Sequence, residues 1–165
     1  MIAPGALEDI PTEALEDIIR TNLLGYHYLN RIIIPVMRKQ GHGKIIHCSS
    51  VLGFICLPFR GAYNISKWAL EGYTDTLRLE LYGTGIDVIS IRPGPIKTKI
   101  KENSIYHFEK WVEWKKSSQK NLYLKKLLPR LYKNNNKNSF ELEAKEVANL
   151  ILKILNEKKP NYTYN

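Results

Sequence analysis

The chain has 165 residues, 44% of them hydrophobic, which is enough for one buried core and gives no sign of a second domain. Two cysteines exclude a disulfide framework, no Cys/His cluster has zinc spacing, and no apolar run reaches the roughly 18 residues of a membrane span. The net charge of +9 is uneven: residues 1–96 carry nine basic and nine acidic side chains, residues 97–165 sixteen and seven. The lysine pairs 115–116, 125–126 and 158–159, with Trp111, Trp114, Tyr123 and Tyr132 between them, accompany no nucleic-acid module. They read as a solvated lid surface with a mobile tip at Asn134–Asn136, and no nucleic-acid partner is expected. Met1 is not followed by a charged-then-apolar signal pattern, so a cytoplasmic protein is expected.

Residues 8–38 read as a helix. Thr12 is a candidate N-cap, Glu13, Glu16 and Asp17 suit the positive N-terminal end, and Leu15, Ile18, Ile19 and Leu23 make an apolar stripe. Asn22 falls mid-helix, where asparagine has poor propensity. Pro35 should loosen the last turns, and Gly41 and Gly43 should end them. Residues 44–49 form a short β-branched strand, which makes Cys48 a buried, inert thiol. Residues 63–82 follow as a helix with Ala69, Leu70, Tyr73, Leu77 and Leu81 spaced for burial, stopped by Gly83 and Gly85. Residues 87–91 are a second strand. Strand, helix and strand at this spacing predict a crossover unit of a parallel sheet, whose ligands bind beyond the carboxyl ends of the strands. Ser50, Pro93 and Gly94 lie there. Residues 99–140 have irregular aromatic and lysine spacing, with Pro129 interrupting a weak helical pattern. Residues 141–158 predict a helix with Leu142, Val147, Leu150, Ile151, Ile154 and Leu155 on its apolar side. Pro160 stops it before a last short strand.

Tyr63 and Lys67 stand at i and i+4 of their helix and so share a face. A free phenol titrates near 10, and an adjacent cation pulls that value toward the range useful for proton transfer. The spacing alone is weak, since a solvated helix face carries such pairs too. Ser50 alone fits a strand-end serine satisfying a loop backbone, and Thr98 fits the N-cap of a following helix. His27, His42, His47 and His107 have no acidic partner at a useful spacing. Ser49 and Ser50 sit in no G-x-S-x-G elbow, which excludes a serine hydrolase of that kind.

In their order and spacing, four segments resemble the short-chain dehydrogenase/reductase family. They are Arg20-Thr-Asn22, the run from Lys44 to Ser50, Gly61-Ala-Tyr63-Asn-Ile-Ser-Lys67, and Arg92-Pro-Gly-Pro-Ile-Lys-Thr98. The similarity runs from Ala6 to Thr98, and more loosely from Ala148 to Tyr164. By that resemblance Asn22, Ser50, Tyr63 and Lys67 match the family's catalytic tetrad, and Pro93, Gly94, Ile96 and Thr98 its nicotinamide-side loop. The implied activity is NAD(P)-dependent hydride transfer to an aldehyde or ketone, with Tyr63 as general acid/base. Lys67 would lower its pKa and hold the nicotinamide ribose, Ser50 would bind the substrate oxygen, and Asn22 would hold a water linked to Lys67. No metal is implied.

The family's glycine-rich turn after a first strand is missing. The expected fold is therefore a single truncated α/β domain over residues 1–165, a partial Rossmann-like doubly wound parallel sheet lacking the N-terminal βαβ unit. Its strands would be the family's fifth, sixth and part of its seventh, with a substrate lid at 99–140. Gly61-Ala-Tyr-Asn and Thr76-Leu-Arg-Leu-Glu80 look like bacterial oxidoreductases related to retinol and steroid dehydrogenases, which leans the cofactor toward NADP. Tyr106, Phe108, Trp111, Trp114 and Tyr123 either wall a pocket for a hydrophobic carbonyl compound or pack the lid onto the body. A homo-oligomer through the helices at 12–39 and 63–82 is expected. The alternative is an inactive remnant, or a partner-binding half that cannot hold a dinucleotide alone.

Overall fold

The computed structural model describes residues 1–132 and 141–165; the asparagine tip at 134–136 lies outside them. Helices α1 (Thr12–Ile19) and α2 (Gly25–Gln40) precede strand β1 (Gly43–Cys48), helix α3 (Gly61–Glu80) and strand β2 (Ile86–Ile91). A two-residue strand β3 (Ile96–Lys97) leads to α4 (Ile100–Trp111), α5 (Lys120–Leu122) and α6 (Leu128–Tyr132). Strand β4 (Leu142–Glu143), helix α7 (Ala144–Asn156) and strand β5 (Thr163–Tyr164) complete the chain. The main sheet is parallel in the order β1-β2-β5, and β3 pairs with β4 in a second parallel ladder.

Alternation along the strands explains why helices cover both faces. Ile45 and Val88, paired across the sheet, join Leu77 of α3 and its C-cap residue Leu81, with Ile34 and Met37 of α2 against them. Their neighbours Ile46 and Ile89, also paired, point the other way with Ile91, onto Ile154 of α7. The C-terminal carbonyls of α7 are satisfied by Lys44, whose ammonium donates to Ile154, Leu155 and Glu157. The α/β parallel architecture is as the strand spacing implies.

Several local expectations are corrected. Thr12 is the first helical residue rather than the N-cap, a place taken by Pro11 without a side-chain bond, and residues 7–9 form a separate 3-10 turn. The long first helix is split by a π-helical turn at Arg20–Leu24 that contains Asn22. Pro35 is contained within α2, which runs on to Gln40; Gly41 ends it at φ 74, while Gly43 already belongs to β1. Gly85, at φ 79, passes so close to Gly41 that a Cβ would lie 2.1 Å from its carbonyl oxygen. Cys48, the last residue of β1, is exposed, while Ile45 and His47 of the same strand are buried. Pro129 lies inside a continuous helical run, just after a π-helical turn at Tyr123–Leu127. Leu142 is an exposed residue of β4 rather than part of the apolar side of α7, and the α7 residue Leu155 is half exposed.

Residues 100–132, within the segment expected to form a lid, are tied to the body from within. Phe108, Val112, Tyr123, Leu127 and Leu131 bury against Ala6, with Trp111 and Trp114 packed beside them. The Tyr123 hydroxyl accepts from the Ala6 N–H at 2.8 Å and donates to Asp9 at 2.7 Å. Ser117 donates to the same Asp9 oxygen. Of the five lid aromatics, Phe108 and Tyr123 are core residues that dock the lid, and Tyr106 is exposed. No helix among the described residues is long and apolar enough to cross a membrane.

Candidate active site

Two loops leave the carboxyl ends of β1 and β2 side by side, and α3 lies against both. Ser49 N–H donates to the Ile91 carbonyl and Val51 N–H to the Pro93 carbonyl, so the loop carrying Ser50 is stitched to the loop carrying Pro93 and Gly94. Asn64, one residue past Tyr63, donates to the Leu52 and Ile55 carbonyls at 2.9 and 2.6 Å and fastens the first loop to α3. Glu71 fastens the second: Ser90 donates to one carboxylate oxygen at 2.9 Å and Arg92 to the other at 2.7 Å. Burial pushes the Glu71 carboxyl up, but the bonds from its partners, Arg92 foremost, outweigh it and leave the pKa lowered. Neither Asn64 nor Glu71 carries a signal in the sequence, because their partners are distant backbone groups and a strand-end arginine.

Ser50, Tyr63 and Lys67 come together at this junction. Ser50 is buried, and its Oγ accepts from Leu52 N–H, so it satisfies its own loop as well as facing the phenol. Half-buried Tyr63 lies close enough to Ser50 for the serine hydroxyl to act on its pKa. The pull of Lys67 on the phenol, expected from the spacing, is not what dominates. Burial raises the Tyr63 pKa, and a bond from Ser50 draws it back only in part. Lys67 is 7% exposed and donates to the Cys48 carbonyl at 2.8 Å, with its nitrogen 5.6 Å from the Tyr63 ring centre. Burial lowers its own pKa.

Asn22 is buried in the π-helical turn. Its amide donates to Ser66 Oγ at 3.0 Å and to the Met1 carbonyl at 2.9 Å, and its carbonyl accepts from the Met1 nitrogen at 2.8 Å. Ser66 donates in turn to the Tyr63 carbonyl. Asn22 therefore reaches the backbone of Tyr63 through Ser66, a residue the sequence reading passed over.

Pro93 and Ile96 are half-buried, and Gly94 is exposed with open space where a Cβ would be. Thr98 stands one residue before Lys99, the N-cap of α4, rather than at the N-cap itself, and its hydroxyl accepts from Ile100 N–H. Beside Thr98 opens a cleft of about 550 Å3 that reaches Met1, Thr21, Asn103 and His107. The nicotinamide end of a dinucleotide fits these features: an open backbone at Gly94, a hydroxyl at Thr98 and an ammonium at Lys67. A glycine-rich turn for the pyrophosphate is not found in residues 1–165.

Residues 1–107 match the short chain dehydrogenase family. Among relatives, the chain is 43% identical over 99 residues to the uncharacterized oxidoreductase YbbO of Escherichia coli, covering 60% of this chain and 37% of that one. It is 35% identical over 150 residues to the uncharacterized oxidoreductase YusZ of Bacillus subtilis, covering 91% and 52%. It thus spans about half or less of the length of these relatives. Among solved structures it resembles a putative NAD(P) dependent gluconate 5-dehydrogenase from Beutenbergia cavernae with bound NADP. That likeness has a TM-score of 0.58 at 30% identity and covers 59% of this chain and 39% of the other. A family match over well more than half of the residues, on a parallel sheet of the expected topology, means that the chain belongs to the short-chain dehydrogenase/reductase family.

Proposed function

We propose that the protein to which these residues belong is an NAD(P)-dependent oxidoreductase that interconverts a carbonyl compound and its alcohol, with Tyr63 exchanging the proton at the substrate oxygen. The observation that carries this reading is the convergence of Ser50, on a loop latched to α3, with Tyr63 and Lys67 of α3 at the carboxyl end of β1. The bound nicotinamide supplies or accepts the hydride. Ser50, already beside the phenol, holds the substrate oxygen near it. Burial keeps Tyr63 protonated at neutral pH, which suits it to donate the proton as a carbonyl is reduced. Lys67, Pro93, Gly94, Ile96 and Thr98 would hold the nicotinamide end, and Asn22 steadies the Tyr63 segment through Ser66. The NADP named for the Beutenbergia cavernae structure favours NADP over NAD.

Two measurements test this reading. Millimolar NADPH should raise the thermal stability of the chain more than NADH does. Turnover of aldehydes should be measured on the chain alone and on the chain joined to a glycine-rich N-terminal segment. Tyr63→Phe, which deletes one hydroxyl and keeps the ring, should lower that turnover at least about 100-fold. Undiminished turnover would place the proton donor elsewhere.

A further inference from the structure

A second, smaller cavity, of about 160 Å3, lies between the turn that precedes α3 and the docked lid. Leu57, Pro58, Phe59 and Leu127 give it apolar walls, and Arg60, Lys126 and Arg130 give it three positive charges and no carboxylate. Among the described residues, none of the ion pairs engages any of these three cations. Residues 133–140 contain no aspartate or glutamate that could do so.

Arg60 is the unusual member. Its Nη1 is fully buried and has no hydrogen-bond partner. Arg60 as a whole is half-buried, but a guanidinium nitrogen removed from water without a partner is destabilising, and proteins rarely leave one so. Burial, and then the charge of Arg130, lower its pKa to about 10. The cavity wall is itself held in a demanding shape. Phe59 adopts φ 61, the left-handed region that a bulky residue seldom enters, with its ring centre 5.2 Å from that of Tyr123. Arg60 is the N-cap of α3, one helical turn before Tyr63, and its charge acts on the phenol.

We propose that this cavity is the subsite that anchors a carboxylate at the end of an otherwise apolar substrate, with Arg60 as its main ligand and Arg130 and Lys126 reinforcing the charge. A volume of about 160 Å3 is roughly that of five waters, room for a head group and a few carbons but not for a dinucleotide. The inference rests on Tyr63 as the reacting end, and it makes the substrate an oxo acid rather than a neutral hydrophobic carbonyl compound.

Calorimetric titration of the chain with sodium octanoate, octan-1-ol and inorganic phosphate tests the subsite without any turnover. Octanoate should bind about tenfold tighter than octanol and than phosphate, and more weakly as salt is added. Arg60→Gln should remove about that tenfold, while Arg60→Lys keeps part of it. Arg60→Gln should also raise the melting temperature of the free protein, since it removes an uncompensated buried charge; an arginine that merely held the fold would show the reverse. Arg130→Gln, at an exposed position, should cost a few-fold and serves if the Arg60 variants do not fold. Equal binding of octanoate and octanol, or octanoate binding indifferent to both arginines, overturns the proposal. Phosphate binding as tightly as octanoate overturns the substrate assignment and leaves a phosphate site. Loss of octanoate binding in Arg60→Gln together with full turnover in Tyr63→Phe would keep the subsite and reject the reaction.

Discussion

The proton positions around His47 follow from its neighbours. Thr74 donates to the Leu70 carbonyl at 2.6 Å, so its hydroxyl oxygen accepts from His47 Nδ1–H at 2.8 Å. That leaves Nε2 unprotonated, accepting from the Asn30 amide at 3.0 Å. A second proton would set two donors face to face until the amide turned over. Burial, and secondarily the charge of Arg78, lower the His47 pKa from 6.5 to about 4, against a weaker pull from Glu71. The folded value lies below the unfolded one, so the unfolded chain binds its proton first as the pH falls. This group's stabilisation is complete above about 6.5, declines toward about 4 and is then exhausted. The separation is worth roughly 3 kcal/mol. Urea midpoints should therefore fall between pH 6.5 and 4.5 in the native protein and fall less steeply in His47→Gln, where only groups such as His107, whose pKa burial also lowers from 6.5, still contribute. Glu71 cannot mimic this, because its pKa is lowered from 4.5 and its contribution is lost only below that value. An unchanged slope in His47→Gln would reject the assignment.

At the scale of elements, one buried phenol ties the segment 100–132 to two groups of the body, beside the apolar cluster and the Ser117–Asp9 bond. Tyr123→Phe leaves the Ala6 N–H without its acceptor and removes a proton donor from Asp9. We expect a loss of roughly 2–3 kcal/mol in urea denaturation, with faster proteolysis of residues 100–132 than of the sheet. A loss below about 0.5 kcal/mol would mean that the apolar cluster docks the lid by itself. This tie was not legible in the sequence, where Tyr123 was one aromatic among five, because its partner lies more than a hundred residues away. The strand–helix–strand unit was legible: β-branched runs and a 3.6-residue stripe are local signals that tertiary contacts here reinforce. Four errors have local causes of their own. The π-helical turn at Asn22 accompanies bonds to Met1 and Ser66, which no periodicity carries. Periodicity also does not mark where burial stops along a strand, and Cys48, at the end of β1, is exposed. Leu142 fits either a strand or a helix stripe, and only the pairing of β4 with β3 decides. At the site, the i,i+4 rule put Tyr63 and Lys67 on one face but not the Lys67 ammonium on the Cys48 carbonyl.

For the whole molecule, two surfaces remain that water covers poorly. One is the outer edge of β1. Gly43 and Ser49 turn their N–H groups to β2, so by the alternation of parallel ladders Lys44, Ile46 and Cys48 face outward. The Cys48 carbonyl is already taken by Lys67 and by Tyr26 at 3.2 Å, which leaves a short edge. The other is the outer face of α2 and α3, where Leu29 is 61% exposed, Ile32 71% and Trp68 50%, alongside Tyr28 and Ile65. Five exposed apolar side chains on two helices mark an association surface more strongly than two or three free backbone groups do. We therefore expect the chain to self-associate through α2 and α3, the second of which also carries Tyr63 and Lys67. Light scattering coupled to sizing should show a dimer or larger species at micromolar concentration. Ile32→Asp places a charge in that face and should weaken association at least about tenfold. A proline at Ile46, which removes an outward N–H, should leave it unchanged. If the proline variant dissociates and Ile32→Asp does not, the open sheet edge is the interface; a monomer under all conditions would reject both surfaces and with them an oligomeric role for this half of the fold.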